Sequence, residues 1–201
     1  MSGISSFNRV YLQVGPGAAG LYLNGPASVL KQHSGILFPF QPDISYQQSV
    51  NYSPYDLVHT NYNFNAYRNT PSPGIQIQAQ FSNATFEEHA YTQGVIHFLR
   101  CVTKMFYGIG DGDLAGTPPP VLRLSGFGEF KSTRVILNSW SKQTPSNIDL
   151  IEYDAGFGPV ALPVIQTMML DLVVQQSPDR QKNNYSTSGL ISGNLYSEGF
   201  I

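Results

Sequence analysis

Four spacings in this sequence place chemically capable side chains near one another, and each lacks a partner that its chemistry needs. GPGAAG at residues 15–20 matches the G-x-G-x-x-G form that presents backbone amides to a pyrophosphate, and it follows the strand-like run RVYLQV. The next segment, LYLNGPASVL, puts Asn-Gly-Pro where the phosphate-binding helix would run, so the glycines read as a turn. Asp111 and Asp113 in GDGDLAG offer two carboxylates to a hard cation, but the further oxygen ligands and closing Glu of a calcium loop do not follow. His89 and His97 are separated by roughly 80° around a helix axis and by two turns along it, so they cannot close on one metal. Ser139 and Lys142 form S-x-x-K without the companion motifs of the acylating enzymes that use it. Cys101, between Leu99 and Val102 and without another Cys nearby, reads as a small core residue. No constellation points to an enzyme, a metal centre or a cofactor.

Composition narrows the classes further. Of 201 residues only 12% are charged while 41% are hydrophobic, with 11 Lys and Arg against 13 Asp and Glu. The charged share is about half the globular norm of roughly 25%. Ser, Asn, Gln, Thr and Tyr take the place of the missing charges, and such groups pair with one another without counter-ions. A net charge of -2 leaves no basic stripe for phosphates, which argues against a sequence-specific nucleic-acid binder. There is no 18-residue apolar run and no apolar stretch in MSGISSFNRV, so neither a membrane span nor a secretory signal is expected. A single cysteine forms no intrachain disulfide, in keeping with a reducing compartment. The sequons at Asn51, Asn83 and Asn184 are then chance matches in a polar chain.

The elements that must position any surface are mostly strands. Residues 1–42 read as an N-terminal arm or hairpin: RVYLQV and LYL as short strands, ILFPFQ as an extended connection. From Asp43, the residues Ile44, Tyr46, Gln48, Val50 and Tyr52 share a face. SPYD at 53–56 supplies a turn, and Val58, Thr60, Tyr62, Phe64 and Ala66 alternate with His59, Asn61, Asn63 and Asn65. IQIQAQF restarts the pattern with Gln76, Gln78 and Gln80 opposite apolar residues. Thr85 and Glu88 make a capping box for one helix over about 86–107, with Tyr91, Val95, Phe98, Val102 and Met105 on its core stripe. After the loop GIGDGDLAGTPPP come further strands, ending in one long strand with Val160, Leu162, Val164, Met168, Leu170, Leu172 and Val174 on one side and Pro163 marking an edge or bulge. The polar tail 177–201 reads as an extension that orders only on assembly. Seven or eight strands and one helix predict a mainly β domain over 43–176, a barrel or sandwich with the helix on its flank.

Four segments carry a likeness to a known family: PDISYQQSVNYSPYDLVHTNYNFNAYRNTPSPGIQIQAQF, the helix EEHAYTQGVIHFLRCVTKMFYG, AGTPPPVLRLSGFGEF, and LPVIQTMMLDLVVQQSPDRQ. Their order and spacing over about three-quarters of the chain resemble the baseplate tube proteins of contractile-tailed, T4-like bacteriophages, in particular the tail tube initiator and the tube cap. The resemblance implies a tail-tube-type β-barrel with a flanking helix, six copies of which join their sheets into a hexameric ring. It implies a structural virion protein, assembled in the host cytoplasm, that sits on the baseplate hub, templates the tail tube and lets the genome pass. Its partners would be its own copies and the adjacent tube and hub proteins, with double-stranded DNA in transit and no membrane. Within such a ring, Ser53, Pro54, Tyr55 and Asp56 are expected at a hairpin tip that meets the next ring. His59, Asn61, Asn63, Asn65, Gln76 and Gln78 are expected on the channel wall or between subunits. About 40 residues precede the likeness, so the extra domains of the larger family members are not expected. The main tube subunit and the tube terminator are neighbouring alternatives. A carbohydrate-binding β-sandwich, using Trp140 and exposed tyrosines, is the alternative from another class.

A channel wall that bound phosphates by counterion release would hold the genome in place, whereas a neutral or acidic wall lets it slide. Arg68 is the only basic side chain other than histidine between Asp43 and Phe81. Assembled rings are therefore expected to show no measurable affinity for double-stranded DNA at physiological salt in a filter-binding assay, and tight salt-sensitive binding would overturn the conduit expectation.

Overall fold

One face of each long strand is apolar, and the burial of that face organises the molecule. The computed structural model describes residues 9–154 and 159–201. The strands are β1 (Tyr11–Val14), β2 (Gly35–Leu37), β3 (Asp43–Gln47), β4 (Asn51–Tyr55), β5 (Phe64–Asn69), β6 (Gly74–Ser82), β7 (Leu122–Gly126), β8 (Phe130–Gln143), β9 (Leu150–Asp154), β10 (Pro159–Pro163) and β11 (Ile165–Val174). The helices are α1 (Ala19–Tyr22), α2 (Phe86–Val102), α3 (Pro178–Asn183) and α4 (Thr187–Ile191), with 3-10 segments at Gly25–His33, Ile109–Leu114 and Asn194–Glu198.

Seven strands form one antiparallel sheet in the order β2-β1-β7-β8-β11-β6-β3, while β4-β5 and β9-β10 form separate two-stranded ribbons. Strand β8, at 14 residues, pairs with β7 through its first part and with β11 through Gln143 to Val135. It thus joins two half-sheets. A register shift opposite Asp171 and Leu172 bulges it at Asn138, the kind of irregularity that bends a strand. Phe38, beyond β2, packs its ring 6.2 Å from that of Phe81 on β6, so the two flanks approach each other on the helix side.

The expected closed barrel or sandwich with one flanking helix is corrected by this arrangement. The sheet is open, its two edges do not pair, and helical segments lie on both sides of α2 in sequence. Each edge has its own reason. At β2, the Tyr91 hydroxyl donates to the Leu37 carbonyl at 2.7 Å and accepts from the Leu37 amide at 2.8 Å, so a side chain occupies the positions a further strand would use. A protonated phenol serves both roles, and burial pushes the Tyr91 phenol up to about 12, with the Leu37 hydrogen bond opposing that shift. At β3, the chain leaves the sheet over residues 48–50 and spends its next two strands on the β4-β5 ribbon instead of on closure.

Other expectations change for local reasons. The arm assigned to 1–42 contributes β1 and β2 to the sheet and Val10, Leu12, Leu30, Ile36 and Phe38 to the core. LYL is helical at its start, and Pro26 at the beginning of the following 3-10 segment favours a helical turn where a strand was expected. The tail 177–201 folds into short helices and buries Leu195 and Phe200. The long final strand breaks at Val164, whose amide turns to the Asp149 carbonyl, and the side chains of Val160 and Leu162 lie outside the described residues.

Helix α2 starts where the capping box places it: Thr85 Oγ1 accepts from the Glu88 amide at 3.2 Å, and Glu88 reaches back to the Ala84 amide at 2.9 Å. It stops at Val102, where Thr103 turns its hydroxyl to the Leu99 carbonyl, so Met105 lies beyond the helix and is exposed. Val95, Phe98, Leu99 and Val102 are buried between the sheet and the 3-10 segment. Gly94 permits that approach, since a Cβ there would lie 2.8 Å from the Pro26 carbonyl oxygen.

Phe98 is fully buried. Phe98→Ala is expected to cost about 3–5 kcal/mol in urea unfolding, by lost transfer energy plus the cavity left behind; an unchanged midpoint would show that the helix does not carry the core.

Candidate functional site: an uncovered sheet face and a projecting ribbon

Across β3, β6, β11 and the second half of β8, the face of the sheet turned away from α2 carries carboxylates but no basic side chain: it presents Asp43, Ser45, Gln76, Gln78, Gln80, Met169, Asp171, Ser139 and Ser141, paired through the strand registers. Arg123 and Arg134 stand opposite each other on the same side of the sheet at its β7-β8 half. Gln76 Nε2 donates to Asp171 at 2.9 Å and Ser139 Oγ donates to it at 2.5 Å. These two bonds, the Ser139 one first, lower the Asp171 carboxyl below its ordinary range. A carboxylate on this face is thus held by neutral donors from both flanking strands.

The β4-β5 ribbon is the second surface. Its registers place Tyr52 opposite Tyr67 and Tyr55 opposite Phe64, on opposite faces of the ribbon. Ring centroids lie 6.2 Å apart in the first pair and 6.5 Å apart in the second, within the range of favourable aromatic contacts. All four rings are exposed, as are Leu57, Val58 and Tyr62 in the connecting loop, the last two at 85% and 88%.

The expected turn at 53–56 is displaced. Ser53, Pro54 and Tyr55 lie within β4, opposite Ala66, Asn65 and Phe64, and the loop spans residues 56–63. Asp56 opens it, His59 takes a left-handed φ of 64°, and Thr60 Oγ1 donates to the Leu57 carbonyl. His59, Asn61 and Asn63 are therefore loop residues and Asn65 a strand residue, while Gln76 and Gln78 sit on the uncovered sheet face. The structure brings Gln76 to Asp171, places Gln78 opposite Met169 on the same face, and leaves the other four on the ribbon. Pro54 looked like a turn residue, yet a proline fits an edge strand, whose amide need not be shared.

The remaining chemical candidates stay apart. Asp111 and Asp113 lie in the 3-10 segment Ile109–Leu114, and no group of three or more His, Cys, Asp or Glu gathers among the described residues. Ser139 faces Asp171, and its motif partner Lys142 pairs in register with Met168. A contact missing from the sequence argument joins Cys101 Sγ to His97 Nε2 at 3.6 Å, one turn apart on α2. Burial raises the thiol's pKa, which disfavours the thiolate a nucleophile would need. No helix among the described residues is long and apolar enough to cross a membrane. No protein-family model matches the chain, and no curated protein matches its sequence.

His89, in the first turn of α2, has a buried Nδ1 without a hydrogen-bond partner among the described residues. Burial, and then the Lys142 charge, lower its affinity for a proton below that of the unfolded chain. The unfolded state then binds more protons, so stability is full above about pH 6.5 and declines as pH falls below it. Urea midpoints measured from pH 7.5 to 5.5 are expected to fall for the wild-type chain and to fall less for His89→Gln; parallel curves would assign the acid sensitivity elsewhere.

Proposed function

We propose that the chain is a structural, ring-forming subunit of the baseplate-proximal tail tube of a contractile-tailed bacteriophage, acting as a tube initiator in the virion. The observation that carries this reading is the β4-β5 ribbon. It exposes two aromatic pairs and an apolar loop, a surface larger than a monomer has use for and suited to contact with more protein. Three further features support it. The β3 edge is open for sheet extension, and open edges invite pairing with another chain. Across β3, β6 and β11 the outward sheet face is polar and carries no basic side chain, which suits a wet lumen through which a polyanion slides. The four segment likenesses described above supply the class of assembly. On this reading the partners are further copies of the chain and the adjacent tube and hub proteins, and the ring closes by heterologous contacts between copies. A sugar-binding role draws less support from Trp140, which is half-buried against the core, and rests on the exposed tyrosines of the ribbon.

Electron microscopy of the purified chain with its hub is expected to show sixfold rings. The double substitution Val58→Ser and Tyr62→Ser changes only exposed side chains, so the thermal midpoint should move little. Ring stacking and tube seeding should fall at least several-fold. Equal seeding by wild-type and substituted chains, or a monodisperse monomer under all conditions including with the hub, would remove the assembly reading.

A further inference from the structure

The C-terminal residues 177–201 cover the core where the open sheet leaves it bare, and their grip differs from that of the other core elements. We propose that this segment is a releasable strap, which in the free chain closes off the β3 flank and the root of the β4-β5 ribbon and is displaced when the ribbon of a second copy docks there. The proposal rests on the self-assembly reading above and adds its regulation.

Position is the first observation. Phe200 and Ile201 stand between two clefts. One, of about 310 Å³, lies between the strap's Leu190 and Tyr196 and the side chains of Tyr46 on β3 and Phe130 on β8. The other, of about 390 Å³, lies between Tyr185 of the strap and Gln48 and Thr70 at the ribbon root. The strap therefore faces the free-edge strand and the ribbon root across these two clefts, while it rests directly on β8 and the β7-β8 turn. The core side chains Leu12, Leu99, Leu122 and Val135, by contrast, are fully buried and line neither cleft.

The grip is the second. Leu195 and Phe200 are the only buried hydrophobic side chains of the segment among the described residues, and neither is fully buried. Helices α3 and α4 have 6 and 5 residues, far below the roughly 12–15 at which an isolated helix becomes even marginal. What holds the far end is a handful of discrete contacts. Tyr196 Oη donates to the Gly128 carbonyl at 2.6 Å, and Gln176 Nε2 donates to that of Gly199 at 3.1 Å. Arg180 donates to the Glu198 carbonyl at 2.9 Å and lies 4.9 Å from the centre of the Phe200 ring. Gly193 and Gly199 carry left-handed φ values of 78° on either side of the last 3-10 turn, where the chain reverses without cost only at glycine.

The occupant follows from what the strap hides. Beneath it lie Phe130 and Val174, beside Tyr46, an apolar flank next to an edge strand that pairs on one side only. The surface that fits such a flank must combine a free strand edge with exposed apolar rings and little charge. The β4-β5 ribbon of another copy has all three: unshared outer edges, the Tyr52–Tyr67 and Tyr55–Phe64 pairs, and only Asp56 and Arg68 as formal charges between residues 51 and 69. A strap that must leave first keeps free chains from pairing their edges prematurely.

Gly199→Ala tests the strap in the full chain. A Cβ there would meet the Ser132 carbonyl oxygen at 2.9 Å and the Lys131 carbonyl oxygen at 3.0 Å in a backbone conformation unfavourable to alanine, so the strap should lift from β8. Tyr196→Phe, which loses only the bond to Gly128, is the milder second variant. By hydrogen exchange, residues 186–201 and β3 are expected to exchange at least tenfold faster in either variant, with β6, β11 and α2 unchanged. By sedimentation, both variants should self-associate at several-fold lower concentration than wild type. Exchange that rises equally in the core strands would overturn the proposal, making the segment an ordinary part of the fold. Deprotection of the strap with unchanged or weaker association would overturn its blocking role. If wild type and variants all remain monomeric with and without the hub, the self-assembly reading fails and the blocking role fails with it, whatever the exchange data show about the segment's independence.

Discussion

The burial of α2 against an open sheet is the constraint on which the rest of the fold depends. A single 17-residue helix must cover a sheet that bends at β8, and it does so with Val95, Phe98, Leu99 and Val102 turned inward. Gly94 lets the Gly25–His33 segment press against its opposite flank. The same helix supplies Tyr91, whose hydroxyl satisfies both backbone groups of Leu37 and so ends the sheet at β2. Packing and edge control thus come from one element. Gly35 shows how tight the result is, because a Cβ there would fall 2.2 Å from the Leu12 carbonyl oxygen of the adjacent strand.

One consequence is an asymmetric sheet. The β2 edge is three residues long and occupied by a phenol, whereas the β3 edge is five residues long and runs into a ribbon that exposes its rings. Two blocked edges would give a self-contained monomer, and two free ones would give uncontrolled pairing. One of each leaves a single edge of the main sheet, β3, on which another strand could pair, and places the ribbon's exposed rings next to it.

How far the sequence reveals this depends on what each pattern is packed against. The alternation of Ile75, Ile77, Ala79 and Phe81 with glutamines marks β6 clearly, because one side is buried in the structure. The capping residues Thr85 and Glu88 mark the start of α2 for an equally local reason. Alternation over residues 58–63 misleads, since among the described residues both sides of that stretch are exposed and no packing energy enforces a strand there. Leu57 and Val58 hide the loop because it contains neither Gly nor Pro. Closure is not legible at all: whether a strand joins the main sheet or forms a separate ribbon turns on long-range choices such as Tyr91 meeting Leu37, 54 residues away. The surface glutamines Gln76 and Gln78 could be placed on an outward face from periodicity, but the meeting of Gln76 with Asp171, 95 residues away, required the β6-β11 register.

The treatment of Asp171 shows what the scarcity of charge accomplishes. On a lysine-rich face this carboxylate would attract a cation, and the pair would be sensitive to salt and to neighbouring charges. Here Ser139 and Gln76 donate to it from the strands on either side, which keeps it ionised without adding a positive group. Hydroxyl and amide donors do not bind phosphate by counterion release, since they carry no charge with which to displace ions. A face built this way can remain wet and structured while holding nothing charged for long. The property follows from replacing a cation by neutral donors around Asp171.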